Sequence, residues 1–418
     1  MSIVETITIS ALMMQAHAKE LASPITPPPL VATSDDVALS RVLAASEALA
    51  SQSSQVDWQA VRNQALSDVL GAPAWLMQGG QVADEAPANT KSAQNNPLEG
   101  EMTPQLDRVV TRGLARLASL QRPDGSFGEP QFGRSVAVTA LACLAFMADG
   151  NLPGRGSYGD QVAKGLDFIL KSSSESGLLA TDSSNSPMYG HGFATLFLGE
   201  VYGMTQGGSD TELADRTHKA LVRAVRLIEG TQNSEGGWRY NPVPFDADTS
   251  VTICQIMALR SGRNAGLEVS KAVVDKAIEY VRGCQNANDG GFRYQAVPGP
   301  SAWPRSAAGV ASLQYAGIYQ DRAIDSGMKY LIDTALPGRN NPNNQIHYSY
   351  GMYYGVQAAF LAGGSNWATW WPAARDELIS NQAVDGSWSD SGIGEEYGTA
   401  MALIVLQMPK RYLPIFQK

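Results

Sequence analysis

Two carboxylates stand one residue apart at the start of an apolar segment. Asp246 and Asp248 lie in EGGWRYNPVPFDADTSVT, residues 235–252. A carboxylic acid can donate a proton in catalysis if neighbouring groups hold that proton and stabilise the anion left behind. An aspartate at a helix start instead caps free backbone N–H groups and interacts favourably with the helix dipole. The pair therefore predicts a proton donor, a helix cap or another contact with a ligand.

Further aromatic and polar residues stand at or near the starts of apolar segments. The candidates for ligand contact are Tyr189, His191, Trp238, Tyr240, Arg305, His347, Tyr350 and Tyr354. Tyr350, Tyr353 and Tyr354 share one helix face, at positions i, i+3 and i+4. Aromatic faces attract a cation, so these residues could line a pocket for a ligand. The alternative is packing between helices for the aromatics and a structural role for each histidine.

A repeated turn indicates how these residues are positioned. Similar sequences recur as SLQRPDGSFG, GTQNSEGGWRY, GCQNANDGGFRY and SNQAVDGSWS, with their glutamines at 121, 232, 285 and 382. Intervals of 111, 53 and 97 residues indicate a period of about 50 residues, typical of a repeat fold. Two degenerate copies are expected at 170–180 and 331–341, which gives six units.

Each unit has two helical segments of different character. The first is amphipathic, as in LADRTHKALVRAVRLIEGTQ, and the second is almost uncharged, as in SVAVTALACLAFMA. A helix that is apolar nearly all round must be buried on most sides. The pattern predicts an all-α fold, an α/α toroid (α6/α6 barrel) of six helical pairs over residues 104–418. An open solenoid is the alternative, but it requires polar capping repeats, and the last unit stays apolar.

The residues of the repeat turns are expected to have structural roles. Glycine allows a tight turn with positive φ, and the aromatic residue that follows it can pack against the next unit. The glutamine amide can link a helix end to the turn. We expect these turns to hold the barrel together.

Composition limits the classes of partner. The chain of 418 residues has a net charge of −9, 17% charged and 44% hydrophobic residues, and no Lys/Arg cluster. A nucleic-acid partner would need such a basic cluster, so none is expected. The three cysteines form no CxxC pair, and no cofactor or metal is expected. We expect no transmembrane segment, while peripheral membrane contact and the oligomeric state stay open.

Residues 1–103 differ from the repeats. Stretches rich in Pro, Ser, Asn and Ala predict a loosely ordered N-terminal extension, with short helices over residues 36–76. The residues Ala16-His17-Ala18 resemble a cleavage site, but the first ten residues contain Glu5 and no basic residue, unlike a signal peptide. A cytoplasmic location is favoured over export.

The turns carry a family likeness. The Gln-x(3–5)-Gly-x-Trp/Phe pattern resembles the QW repeat of the squalene–hopene and oxidosqualene cyclases, whose toroid is shared with protein prenyltransferase β subunits. The closest resemblance is to bacterial prenyltransferase/squalene-oxidase repeat proteins. It covers roughly residues 104–417 and implies the α/α toroid.

The resemblance also implies a role for the two carboxylates. Class II terpene cyclases protonate an alkene or epoxide with the middle Asp of a D-x-D-D-T motif. On that match Asp248 is the donor and Asp246 its partner, while Thr249 replaces the third carboxylate. Prenyltransferases use a zinc ion held by Asp, Cys and His, but no Asp-x-Cys occurs here. Asp248, Cys254 and His347 would provide such a set if they met across the barrel.

Two functions are consistent with these observations. The first is a terpenoid-cyclase-like toroid whose apolar central cavity binds a small isoprenoid or lipidic ligand, with Asp248 initiating cyclisation or isomerisation by acid. Full triterpene cyclases pair two α-barrel domains, however, and this chain has one. The second is a non-catalytic toroid that contacts a protein or glycan at its rim. A barrel filled by side chains would contradict the first.

Overall fold

The computed structural model describes residues 101–128, 133–181, 186–205, 210–339 and 347–417. Nearly all of the predicted N-terminal extension lies outside these ranges, including its expected short helices and the sequence that resembles a cleavage site. Part of the degenerate turn at 331–341 also lies outside them. No helix in the described ranges is long and apolar enough to cross a membrane.

Twelve α-helices occupy the described residues, and they alternate between two layers. The outer helices are α1 (Pro104–Leu120), α3 (Gly159–Lys171), α5 (Thr211–Gly230), α7 (Lys271–Cys284), α9 (Arg322–Ala335) and α11 (Gly364–Ser380). The inner helices are α2 (Val136–Met147), α4 (Pro187–Thr205), α6 (Thr249–Asn264), α8 (Trp303–Tyr315), α10 (Tyr348–Ala362) and α12 (Glu395–Leu406). Two short 3₁₀ helices, Met408–Lys410 and Pro414–Phe416, follow.

The inner helices form a closed ring. Each packs against the next along the chain, and α12 returns to pack against both α2 and α1. Eleven of the twelve residues of α2 are buried, whereas α5 buries only one stripe, as a wholly apolar helix and an amphipathic helix respectively should. The predicted α/α toroid is therefore confirmed, and the open solenoid is not observed.

The glutamine of each quoted turn links three parts of the chain. Gln232 donates from Nε2 to the Gly236 carbonyl within its own turn, at 2.9 Å, and to the Val273 carbonyl of α7, at 2.8 Å. Gln121 and Gln285 make equivalent bonds to α3 and α9. Gln382 of the last turn donates to the Val109 carbonyl of α1 at 2.9 Å. The same side-chain contact that joins neighbouring units thus also closes the ring.

A second hydrogen bond fixes each turn to the inner helix that follows. The Trp238 amide donates to Thr252 Oγ1 at 3.1 Å, and the Phe292 amide donates to Ser306 Oγ at 2.7 Å. The Trp238 indole also donates to the Ile228 carbonyl of α5 at 2.8 Å. The turns therefore set where each inner helix begins.

Candidate functional site

Asp248 caps the first turn of α6. Its Oδ1 accepts the Val251 amide at 2.9 Å, and its own amide donates to the Trp238 carbonyl at 3.0 Å. The side chain is fully buried. The capping role expected for this residue is present, but it occupies one carboxylate oxygen.

The other carboxylate oxygen faces a different set of groups. The Tyr294 hydroxyl donates to Asp248 Oδ2 at 3.3 Å, and Arg239 Nε lies 3.2 Å from the same oxygen. Arg239 also donates from Nη1 to Asp246, whose side chain is 43% exposed. Asp246 is thus linked to Asp248 through the guanidinium that contacts both carboxylates.

Burial dominates the electrostatics of this carboxyl group. It raises the pKa of Asp248 to about 6, although the Val251 amide, Arg239 and Tyr294 all act to lower it. Burial also raises the pKa of Tyr294, so its phenol stays neutral and available as a donor. A protonated Asp248 is therefore accessible near neutral pH.

Half-buried aromatic rings surround this network at the barrel mouth. The Tyr189 and Tyr240 ring centroids are 6.1 Å apart. The Arg239 guanidinium lies 4.8 Å from the Tyr240 centroid and 5.4 Å from that of Tyr294. The Tyr240 and Tyr294 hydroxyls are hydrogen-bonded to each other. Tyr189 and Tyr240, predicted from different segments, are thus brought together beside Asp248.

The tyrosines of α10 extend across the barrel toward α6. The Tyr350 hydroxyl donates to the Ser250 carbonyl at 2.9 Å, and the Tyr354 hydroxyl lies 3.4 Å from the Cys254 sulfur. Tyr353 meets the Tyr354 ring at 4.8 Å. All three tyrosines are buried. At this depth they pack between helices, as the alternative reading of this face expects.

Three other predicted contact residues, His191, Trp238 and Arg305, have partners elsewhere in the fold. Buried His191 accepts the Leu179 amide at Nδ1, 3.1 Å away, while Nε2 lies 3.2 Å from the Ala224 carbonyl. His191 accepts the amide of its turn as Thr252 accepts the Trp238 amide in the next unit. Burial lowers the pKa of His191 to about 4. Trp238 is buried in its turn. Arg305 donates to the carbonyls of Phe292 and Pro300.

His347 is exposed directly before α10 with a φ of 68°. In the described part of the chain, no group of three or more His, Cys, Asp or Glu side chains could hold a metal ion. The arrangement of Asp248, Cys254 and His347 considered from the sequence is therefore not observed.

Two residues of the network were missed by the sequence reasoning. Arg239 and Tyr294 come from two successive turns, in the matching sequences GGWRY and GGFRY. The repetition of Arg-Tyr after the turn aromatic was a signal that could have identified them. The packing of the two turns decides that the arginine of the first Arg-Tyr pair and the tyrosine of the second face Asp248.

A cavity of about 300 Å³ lies elsewhere, between α10, α11 and α12. Its lining includes Tyr348, Met352, Leu378, Trp388, Met401 and Val405. Among the described residues, no hydrogen bond or ion pair joins this lining to the Asp248 network.

Buried carboxyls should make stability depend on pH. Glu200 of α4 accepts from Ser261 Oγ at 2.8 Å and from the Ile415 amide at 3.0 Å, and burial raises its pKa from 4.5 to about 7. The folded state then binds this proton more tightly than the unfolded state, so its contribution falls as pH rises. We expect Glu200 to lower the free energy of unfolding by about 3 kcal/mol between pH 4.5 and 7.5.

Urea unfolding at pH 4.5 and pH 7.5 measures this dependence. Glu200→Gln carries no titrating proton and should show a shallower fall than the wild type. Equal falls in the two proteins would contradict the prediction. Asp248 acts in the same direction, between pH 3.8 and about 6.

Comparison with known proteins supports the architecture. No protein-family model and no curated protein matches the chain. Its structure is similar to an α-1,6-mannanase of Salegentibacter sp. HEL1_6 solved with α-1,6-mannotetrose, at a TM-score of 0.53 and 10% identity, covering 72% of this chain and 98% of the other. The type II terpene cyclase MstE from Scytonema matches at a TM-score of 0.47 and 15% identity, over 74% and 98%. The likeness to the mannanase shows that the chain has the α/α-toroid fold.

Proposed function

We propose that the barrel mouth at Asp248 binds an isoprenoid or other lipidic ligand and that Asp248 protonates it, as in a class II-type cyclisation or isomerisation. The observation that carries the proposal is that the two oxygens of the Asp248 carboxyl group have different partners. One oxygen caps α6, while the other meets Tyr294 and Arg239 in a buried, aromatic environment. A carboxylic acid with a pKa near 6 is suited to general-acid work near neutral pH.

The proposed step moves one proton. The Asp248 O–H bond breaks, and the alkene π electrons form the new C–H bond, which leaves a carbocation on the adjacent carbon. The faces of Tyr189 and Tyr240 would stabilise that cation. Arg239, held by Asp246, would stabilise the aspartate anion. Loss of a proton from the cation, or addition of water followed by loss of a proton, completes the reaction, and one proton returned to Asp248 restores its acid form.

Access to the acid is a requirement of the proposal. Asp248 is fully buried, whereas Tyr189, Tyr240 and Ser250 around it are half-buried. The rim tyrosines must therefore move apart for a ligand to reach Oδ2. Tyr350, Tyr353 and Tyr354 occupy the space further in. The site proposed here therefore lies at the mouth and not in the central cavity expected from the sequence.

Incubation in D₂O tests acid initiation directly. The purified full chain is incubated with squalene and with shorter polyprenyl substrates in H₂O and in D₂O, and products are analysed by mass spectrometry. We expect a product that gains one carbon-bound deuterium in D₂O, since the initiating proton comes from an exchangeable acid. A product without deuterium, or no product from any substrate, would contradict the proposal.

The second candidate is a non-catalytic module that binds a protein or glycan at its rim. The observation that favours it is the packing of the α10 tyrosines against α6, which fills space that a cyclase would need. Calorimetric titration with α-1,6-mannotetrose provides a glycan probe. Binding without any turnover of the polyprenyl substrates would support this candidate.

A further inference from the structure

Exposed apolar side chains are concentrated on two loops at the barrel mouth. Of the five large apolar side chains exposed in the described residues, three lie on residues 241–245 or 295–300, here called the rim loops: Phe245 at 86%, Val243 at 58% and Val297 at 57%. Their sequences, NPVPF and QAVPGP, contain no charged residue. Clustered exposed apolar side chains of this kind indicate an interaction surface.

The rim loops are joined to each other and to the Asp248 network. Gln295 donates from Nε2 to the Ala247 carbonyl at 3.0 Å, and the Thr249 amide donates to the Tyr294 carbonyl at 2.9 Å. The loops precede α6 and α8, which are neighbours in the inner ring. They therefore present one surface beside the mouth.

The first rim loop has few backbone N–H groups that require water as a hydrogen-bond partner. Pro242 and Pro244 have no N–H group. The amides of Val243 and Phe245 are satisfied within the loop, by the Asn241 carbonyl at 2.7 Å and the Val243 carbonyl at 2.8 Å. Residues 242–245 thus expose apolar side chains without a free amide donor. Apolar surroundings penalise unpaired donors, so the absence of a free amide donor in residues 242–245 lowers the cost for this loop to leave water.

We propose that the rim loops insert into the boundary between headgroups and acyl chains of a lipid bilayer and hold the barrel mouth against it. Phe245 is the main insertion residue, and Val243 and Val297 flank it. The loops carry no basic residue, so binding depends on apolar contact rather than on attraction to anionic lipids. Insertion would hold the mouth at the membrane whether or not Asp248 is a proton donor.

Vesicle flotation with the full chain tests the proposal. We expect the wild type to float with neutral phosphatidylcholine vesicles and to be insensitive to salt. Phe245→Asp should lower the partition coefficient by about tenfold or more, because the variant loses the favourable transfer of a phenylalanine ring from water into the bilayer. Val384→Asp is the matched control: Val384 is 99% exposed, outside the rim loops and beside Asp385, and its replacement should leave flotation unchanged.

A fluorescent label gives a second, positional measurement. The three native cysteines are buried, so Val297→Cys can be labelled selectively with an environment-sensitive dye, with Val384→Cys as control. On adding vesicles, the emission should shift to the blue at position 297 and stay constant at 384.

Three outcomes would overturn the proposal. They are a wild type that stays unbound with every vesicle, equal partitioning of the wild type and Phe245→Asp, and a blue shift at 297 that requires a second protein or self-association instead of lipid. Circular dichroism of Phe245→Asp checks that an exposed-loop substitution leaves the fold intact.

Discussion

Asp248→Asn is expected to reduce product formation by about 10²- to 10⁴-fold, the usual contribution of a positioned general acid, while the protein stays folded. Asparagine is as good a helix cap as aspartate, so its Oδ1 can still accept the Val251 amide. Its amide group has no acidic proton to donate to an alkene. Product yield and thermal unfolding, measured on the same preparation, separate the loss of the acid from the loss of the fold.

A matched cap variant controls for the substitution itself. Asp210 caps the outer helix α5 by accepting the Leu213 amide at 2.9 Å, and Asp210→Asn should retain full product yield. Wild-type yield from Asp248→Asn would exclude Asp248 as the donor. Loss of product together with loss of the folded state would show that the carboxylate is needed for structure instead.

Gly236→Ala is expected to destabilise the fold by about 4 kcal/mol or more, in the range reached only by the most damaging substitutions. Gly236 has a φ of 101°, and a Cβ there would lie 2.2 Å from the Lys276 carbonyl oxygen of α7. Side chains are strained at this φ. The clash is with backbone, which cannot rotate away. The turn would have to separate from α7 and lose the Gln232 bond to Val273. Urea unfolding measures the effect.

Two other glycines separate the causes. Gly266 has a φ of 93° with nothing within 4 Å of an added Cβ, and Gly230 at the end of α5 has neither positive φ nor a close contact. Gly266→Ala should cost about 1 kcal/mol from backbone strain alone. Gly230→Ala should be neutral or stabilising by up to about 1 kcal/mol. Similar losses at 236 and 266 would show that contact with α7 is unimportant.

Much of the fold could be predicted because its contacts repeat. One glutamine, one glycine and one aromatic residue per turn make the same bonds in the four quoted turns, so the pattern is visible as a period. The weak copy at 170–180 is more instructive. There Leu179 replaces the aromatic residue and His191 replaces the Ser or Thr that accepts its amide. Considered alone, His191 suggested a ligand contact. Comparison with Thr252 and Ser306, which accept the equivalent amides, shows that His191 holds its turn to the inner helix.

The candidate site was less predictable, because its groups come from two turns. The sequence indicated Asp246, Asp248 and Tyr240 but paired the two aspartates directly. Arg239 lies between them and contacts both, and Tyr294 arrives from the next turn. The roles proposed for these residues remain predictions until turnover is measured.

The sequence by itself determined the all-helical repeat and the burial of alternate helices, since each depends on residues close together in the chain, and it included the cap at Asp248 among three alternatives. Only the tertiary structure decided that the ring closes through Gln382 and Val109, that the α10 tyrosines pack against α6, and that two uncharged loops share one exposed apolar surface. These features depend on residues that the chain separates by tens to hundreds of positions. Their contacts exist only once the helices have packed into a ring, because neither spacing nor residue type specifies which distant side chains will share the same space.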